Sequence, residues 1–123
     1  MLNIDRAYIG VALVLLLLGE ALGLYMGIAN DTQLLSLHVA FLLPGFATLA
    51  AYGFIFRLWP ALKAGPLAAA QFWLAIVAEL ALLVGAYQYA VSRAVPLAAA
   101  GSILTMIAAL LLLYLFWSRS AKA

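Results

Sequence analysis

The chain reads as an all-α, polytopic membrane protein, an up-down bundle of four transmembrane helices that fills residues 1–123 as a single domain. Three observations predict this. The composition is 70% hydrophobic and 8% charged, with a mean hydropathy of +1.22, whereas a soluble domain carries roughly a quarter charged residues. Four apolar runs, at about 7–29, 34–58, 67–91 and 97–117, each reach the roughly 20 residues a helix needs to cross about 30 Å of hydrocarbon. The linkers between them are short, which makes neighbours antiparallel. Helices are the expected spanning element because lipid offers the backbone no hydrogen-bond partners.

The first run follows Arg6 and is too long for a signal peptide, with no small-x-small cleavage site after it, so it is expected to stay in the mature protein. Its stretch "GEALGLYMG" places Gly19, Gly23 and Gly27 four apart, a stripe on which another helix can approach closely. The linker "NDTQ" (30–33) offers Asp31 or Thr32 as a cap for the second helix.

The second run carries the only histidine of the chain, His38, and then Pro44 and Gly45. Pro44 removes the hydrogen bond to the Ala40 carbonyl and predicts a bend just beyond the histidine. His38, Gly45 and Tyr52 are seven apart and share one helix face by spacing. The linker "WPALKAGP" (59–66) forbids a continuous helix, and "SRAVP" (92–96) joins the third and fourth runs.

Charge sets the expected orientation. Arg6, Arg57, Lys63, Arg119 and Lys122 fall on one side and only Arg93 on the other, which predicts both termini in the cytoplasm; the expected location is a bacterial inner membrane. His38 then lies about four residues, roughly 6 Å, inside the second helix from the outer face. A net charge of +2 with scattered basic residues argues against nucleic-acid binding. The absence of cysteine removes disulfides, thiolate metal sites and thiol catalysis.

Three ionisable groups fall inside the apolar runs: Glu20, His38 and Glu79. Each is a functional candidate, because such a group costs about 2.5–3.5 kcal/mol or more at a helix centre. Glu20 and Glu79 are candidates for proton transfer. Alternatively, as protonated carboxyls they join helices by hydrogen bonds, with Gln71, Tyr87 and Gln88 as available partners. For His38, a glycine two turns deeper leaves room for a flat macrocycle whose metal the imidazole ligates. The other reading is a histidine near the interface, bonded to a backbone carbonyl or to water.

The stretch from "GEALGLYMG" through Asp31, His38, "PGF" and "FRLWP" resembles a family of small membrane proteins similar to subunit I of heme-copper oxidases, closest to the second helix of the nitric oxide reductase branch. That family reads Gly-x-x-x-Gly-x-Tyr-Met-Gly, a loop Asp, His-Ala-His-x-Asn-x-x-Gly-Trp, then Arg-Leu-x-Pro and Phe-Trp-Leu. The matches are Gly19, Gly23, Tyr25, Met26, Gly27, Asp31, His38, Gly45, Arg57, Leu58, Pro60, Phe72, Trp73 and Leu74, over about residues 19–90.

The resemblance implies heme b with His38 as metal ligand, Gly45 and Tyr52 beside it, and Met26 as a conceivable second ligand. One histidine per protomer can hold heme in two ways: a homo-oligomer, expected as a dimer or higher, sandwiches one heme between two His38 side chains, or His38 is the sole ligand and leaves a position open for a diatomic gas. The expected role is electron transfer, gas sensing or support of a respiratory complex. Ala40 stands at the second histidine position, Leu42 at the asparagine and Phe46 at the tryptophan. No copper site is therefore expected, and a stand-alone enzyme is not. Two other readings stay open. One is a small proton-coupled transporter resembling the small multidrug resistance transporters, with Glu20 exchanging protons for cationic substrate. The other is a structural accessory subunit without chemistry.

Overall fold

The computed structural model describes residues 3–122. Four long helices account for nearly all of them: α1 (Ile4–Ala29), α2 (Leu35–Leu58), α3 (Pro66–Ser92) and α4 (Pro96–Arg119). No strand occurs among the described residues. All four helices are long and apolar enough to span a membrane, and the protein is an all-α four-helix bundle.

The helix ends follow from local chemistry. Asn30 and Arg93 adopt left-handed conformations, with φ of 51° and 60°, and close α1 and α3 by donating their N–H groups to the Met26 and Tyr89 carbonyls. Both α3 and α4 begin one residue earlier than the apolar runs suggest, at Pro66 and Pro96. Proline suits the first helical position because its missing N–H has no partner there. Gly65, at φ 80°, makes the turn into α3. Asp31 does not cap α2 with its side chain: its Oδ1 accepts from the Gln33 N–H at 2.9 Å, forming a local turn within the linker.

Pro44 does more than bend α2. The segment Phe41–Ala47 winds as a π-helix between α-helical flanks. Proline cannot donate to Ala40, and the chain accommodates the missing donor by widening the turn. The Thr48 hydroxyl donates to the Leu43 carbonyl at 3.0 Å at the end of this segment.

Two hairpins build the bundle, each closed at glycines. In the first, Gly19 lies against Phe41 and Leu42, Gly23 against His38, and Gly53 against Ile9 and Tyr8. In the second, a Cβ on Gly85 would strike the backbone of Ala98, and one on Gly101 would come within 2.8 Å of the Leu82 nitrogen. Such approaches suit membrane helices, where packing replaces the hydrophobic effect between them. The hairpins join where Ser36 donates to the Ala86 carbonyl at 3.1 Å. At the end bearing the termini they join through a core around Tyr8, Leu49, Phe56, Leu62, Phe72 and Leu115. Arg119 ties α4 to the 59–65 turn through the Leu62 and Ala64 carbonyls. Leu17, Ile28, Leu58 and Trp117 lie on the outside with 69–80% of their surface exposed, an apolar exterior that fits a lipid environment.

Candidate functional site: a buried carboxyl beside the π-helical turn

Glu79 lies midway along α3, with only 4% of its surface exposed. Neither carboxyl oxygen has a hydrogen-bond partner among the described residues. Its Oε2 occupies the space that a side chain at Gly45 would need, so the glycine of the π-helical segment is what admits the carboxyl. A cavity of about 10 Å³ adjoins it, lined by Pro44, Thr48, Tyr52, Thr105 and Ala108 among others. That is about the space needed for one water molecule. Three hydroxyl-bearing side chains, Thr48, Tyr52 and Thr105, thus share the cavity with the carboxyl. Thr48 and Thr105 donate to the Leu43 and Gly101 carbonyls at 3.0 and 2.9 Å, which leaves their oxygens able to accept.

A column of polar groups leads from this cavity to the end of the bundle that bears the termini. The Tyr52 ring meets Tyr8 edge to face, with centroids 5.7 Å apart. The Tyr8 hydroxyl donates to Gln71 Oε1, and Gln71 Nε2 donates to the Ala108 carbonyl at 3.1 Å. Both Tyr8 and Gln71 are fully enclosed. One turn before Tyr8, Asp5 is 3% exposed and pairs with Arg57 at 3.1 Å and Lys63 at 3.2 Å.

His38 is half-buried on the other side of the π-helical segment. Its Nδ1 lies 2.8 Å from the Gly19 carbonyl. A carbonyl only accepts, so Nδ1 carries the proton and Nε2 presents its lone pair in the neutral ring. The ring edge lies over Gly23, with Cε1 2.7 Å from where a Cβ would stand. This is the carbonyl-bonded alternative for the histidine, and it accounts for Gly23, whereas Gly19 makes room for Phe41 and Leu42. Gly27 has nothing within 4 Å.

The structure does not gather the remaining candidates around His38. Gly45 faces Glu79 and Leu15 instead, because the wider π turn shifts the register between positions 38 and 45 that a continuous α-helix would keep. Tyr52 belongs with the Glu79 cavity. Met26 is buried in α1. Glu20 is exposed, between Leu17 and Leu24 on the outward face of α1, about 13 Å from the Ala29 end. No group of three or more His, Cys, Asp or Glu side chains that could hold a metal ion occurs among the described residues.

Several contributors were hidden in the sequence. Tyr8 and Asp5 stand next to Arg6 at a helix start, where polar residues normally signal the membrane interface. Thr48 and Thr105 are isolated hydroxyls in apolar runs, and only the folded bundle brings them to one cavity. Comparison with known protein families, curated proteins and solved structures finds no match to this chain. Its site is therefore read from its own geometry.

Proposed function

We propose that this chain is a small proton-translocating membrane protein in which Glu79 takes up and gives off the proton. One observation carries the reading: a carboxyl enclosed in the bundle with both oxygens unpartnered. Stability does not account for such a group. A neutral polar group buried without hydrogen bonds costs roughly 1–3 kcal/mol by mutational measure, and an unpaired charge costs several. A leucine would avoid both. A site that must bind and release a proton has a reason to keep the carboxyl unpaired by any fixed cation.

The surroundings support the same reading. Space for one water lies next to the carboxyl, between it and hydroxyls on α2 and α4. The tyrosine and glutamine groups continue the polar column towards Asp5. The carboxyl also abuts a π-helical turn. Such a turn holds a wider register than an α-helix, and π-helical turns recur at functional sites. Ionisation of Glu79 would demand new donors or water beside Gly45, so protonation and the winding of α2 are coupled through one contact. In the membrane the termini, Arg57, Lys63 and the Asp5 cluster would face the cytoplasm, an orientation supported by the bias of basic residues.

The test is proton flux in vesicles. Purified protein is reconstituted around a pH-sensitive dye and a pH gradient is imposed. Wild-type protein should dissipate the gradient, and Glu79→Gln, similar in shape but unable to ionise, should abolish that activity while leaving helix content unchanged. Equal flux from both proteins would sink the proposal.

Heme b at His38, for electron transfer, gas sensing or support of a respiratory complex, is a second reading with one observation in its favour. The Nδ1 proton given to the Gly19 carbonyl leaves Nε2 as a lone-pair donor, the arrangement by which imidazoles are oriented towards metals. The donor fits. The cradle does not, because the space at Gly45 is taken by Glu79. Protein purified from heme-replete cells should then show a Soret band that disappears in His38→Ala, and a colourless wild-type protein removes this reading.

A further inference from the structure

A second site lies at the corner where α1 begins and α2 ends. Asn3, Arg6, Ile9, Gly10, Leu13 and Arg57 line a groove of about 420 Å³ there. Arg6, Gly10 and Leu13 follow one another at helical spacing, so they form one strip of α1 running from its charged end into its apolar body. Gly10 has nothing within 4 Å of where a side chain would begin. It makes a notch that exposes helix backbone between Ile9 and Leu13.

The charge of this corner is unbalanced. Asp5 is the only carboxylate that pairs here among the described residues, and it already serves both Arg57 and Lys63. Arg6 is exposed and has no ion pair among the described residues. Three cations thus face one carboxylate. That carboxylate is turned inward, its side chain 5% exposed, while the Arg57 side chain is 68% exposed. The outward surface is positive.

Depth completes the picture. Helix α1 has 26 residues, or about 39 Å at 1.5 Å per residue, longer than the roughly 30 Å of hydrocarbon. Arg6 and Arg57, each within a few residues of a helix end, therefore fall in the headgroup layer, and Gly10 and Leu13 fall below it. We infer that this groove is a binding site for one anionic phospholipid, its phosphate held by the Arg6 and Arg57 guanidinium groups and one acyl chain lying in the Gly10 notch along Leu13. Guanidinium groups suit a phosphate through paired N–H donors, and basic pockets beside membrane helices recognise anionic headgroups in this way. The inference does not depend on the role of Glu79.

The experiment is native mass spectrometry of full-length protein released from micelles. The micelles carry graded phosphatidylglycerol, or phosphatidylcholine with identical chains. Wild-type protein should retain one phosphatidylglycerol in preference to phosphatidylcholine. Arg6→Gln, which leaves the Asp5 ion pairs intact, should weaken that retention about fivefold, the effect of one basic residue near a membrane surface. Gly10→Leu fills the notch without changing charge and should also weaken it, with helix content by circular dichroism confirming that both variants fold. Equal retention of the two lipids, unaltered retention in Arg6→Gln, or displacement of the lipid by millimolar inorganic phosphate would each overturn the inference.

Discussion

Gln71 and Glu79 are eight residues apart on α3, about 12 Å along one helix axis, and both are buried. Gln71 has its amide satisfied at both ends, accepting from Tyr8 and donating to the Ala108 carbonyl. Glu79 has neither oxygen satisfied. The same helix thus shows two uses of a polar group in an apolar interior. A satisfied network fixes one arrangement of three helices, because every alternative strands a donor or an acceptor. An unsatisfied carboxyl fixes nothing and stays available. The neighbourhoods match these uses: Gln71 is enclosed by the aromatic core around Tyr8 and Phe72, whereas Glu79 meets a π-helical turn, a glycine and a cavity.

Substitution can break this contrast. Gln71→Leu should destabilise the bundle the most, by about 1–3 kcal/mol, since it removes the amide that joins Tyr8 to the Ala108 carbonyl and leaves the enclosed Tyr8 hydroxyl only the main-chain carbonyl of residue 71, at 3.4 Å. Glu79→Leu, which removes no hydrogen bond, should be close to neutral or stabilising. Denaturation in mixed micelles followed by circular dichroism measures both. If Glu79→Leu proves the more damaging, Glu79 is a structural group and the contrast is reversed.

A smaller effect sharpens the role of Gly45. Gly45→Ala places a methyl where Glu79 Oε2 lies, and within 3.1 Å of Leu15 Cδ1. Overpacking of this kind typically costs about 1–3 kcal/mol, and the flexible end of the glutamate places the expected value at about 1 kcal/mol. The penalty should shrink in a Glu79→Ala background, since contacting residues couple. A penalty that is the same in both backgrounds would show that the glycine serves helix packing alone.

The fold was almost fully legible in the sequence, because four apolar runs and proline-bearing linkers leave one architecture. Helix ends differed by a few residues, mainly where proline begins a helix and where Ile4, Asp5 and Arg6 extend α1 below its apolar run. The candidate site was legible only in its parts. Glu79 stood out as an ionisable group in hydrocarbon, and Pro44 as a break, but their contact depends on a change of helical register. Spacing rules assume 3.6 residues per turn throughout, so positions 38, 45 and 52 looked like one face. The π-helical segment separates them, giving Gly45 and Tyr52 to Glu79 and leaving His38 on the glycines of α1. The Gly85 and Gly101 contacts between α3 and α4 escaped for a different reason: those glycines lie on separate helices, where no periodic stripe advertises them.

Glu20 provides the smallest effect and the last comparison. Like Glu79 it is a carboxyl within an apolar run, but it lies on the outside of α1 and is exposed. Its replacement removes no hydrogen bond or ion pair among the described residues, so Glu20→Gln should alter unfolding stability by no more than about 0.5 kcal/mol and leave proton flux unchanged. Sedimentation or light scattering in micelles adds the decisive readout. If wild-type protein is a dimer that dissociates in Glu20→Gln, a second copy covers this face, and the carboxyl is satisfied across the interface rather than within the bundle. Glu20 would then belong with Gln71 among the groups that fix an arrangement. Glu79 would remain the one membrane carboxyl without a partner.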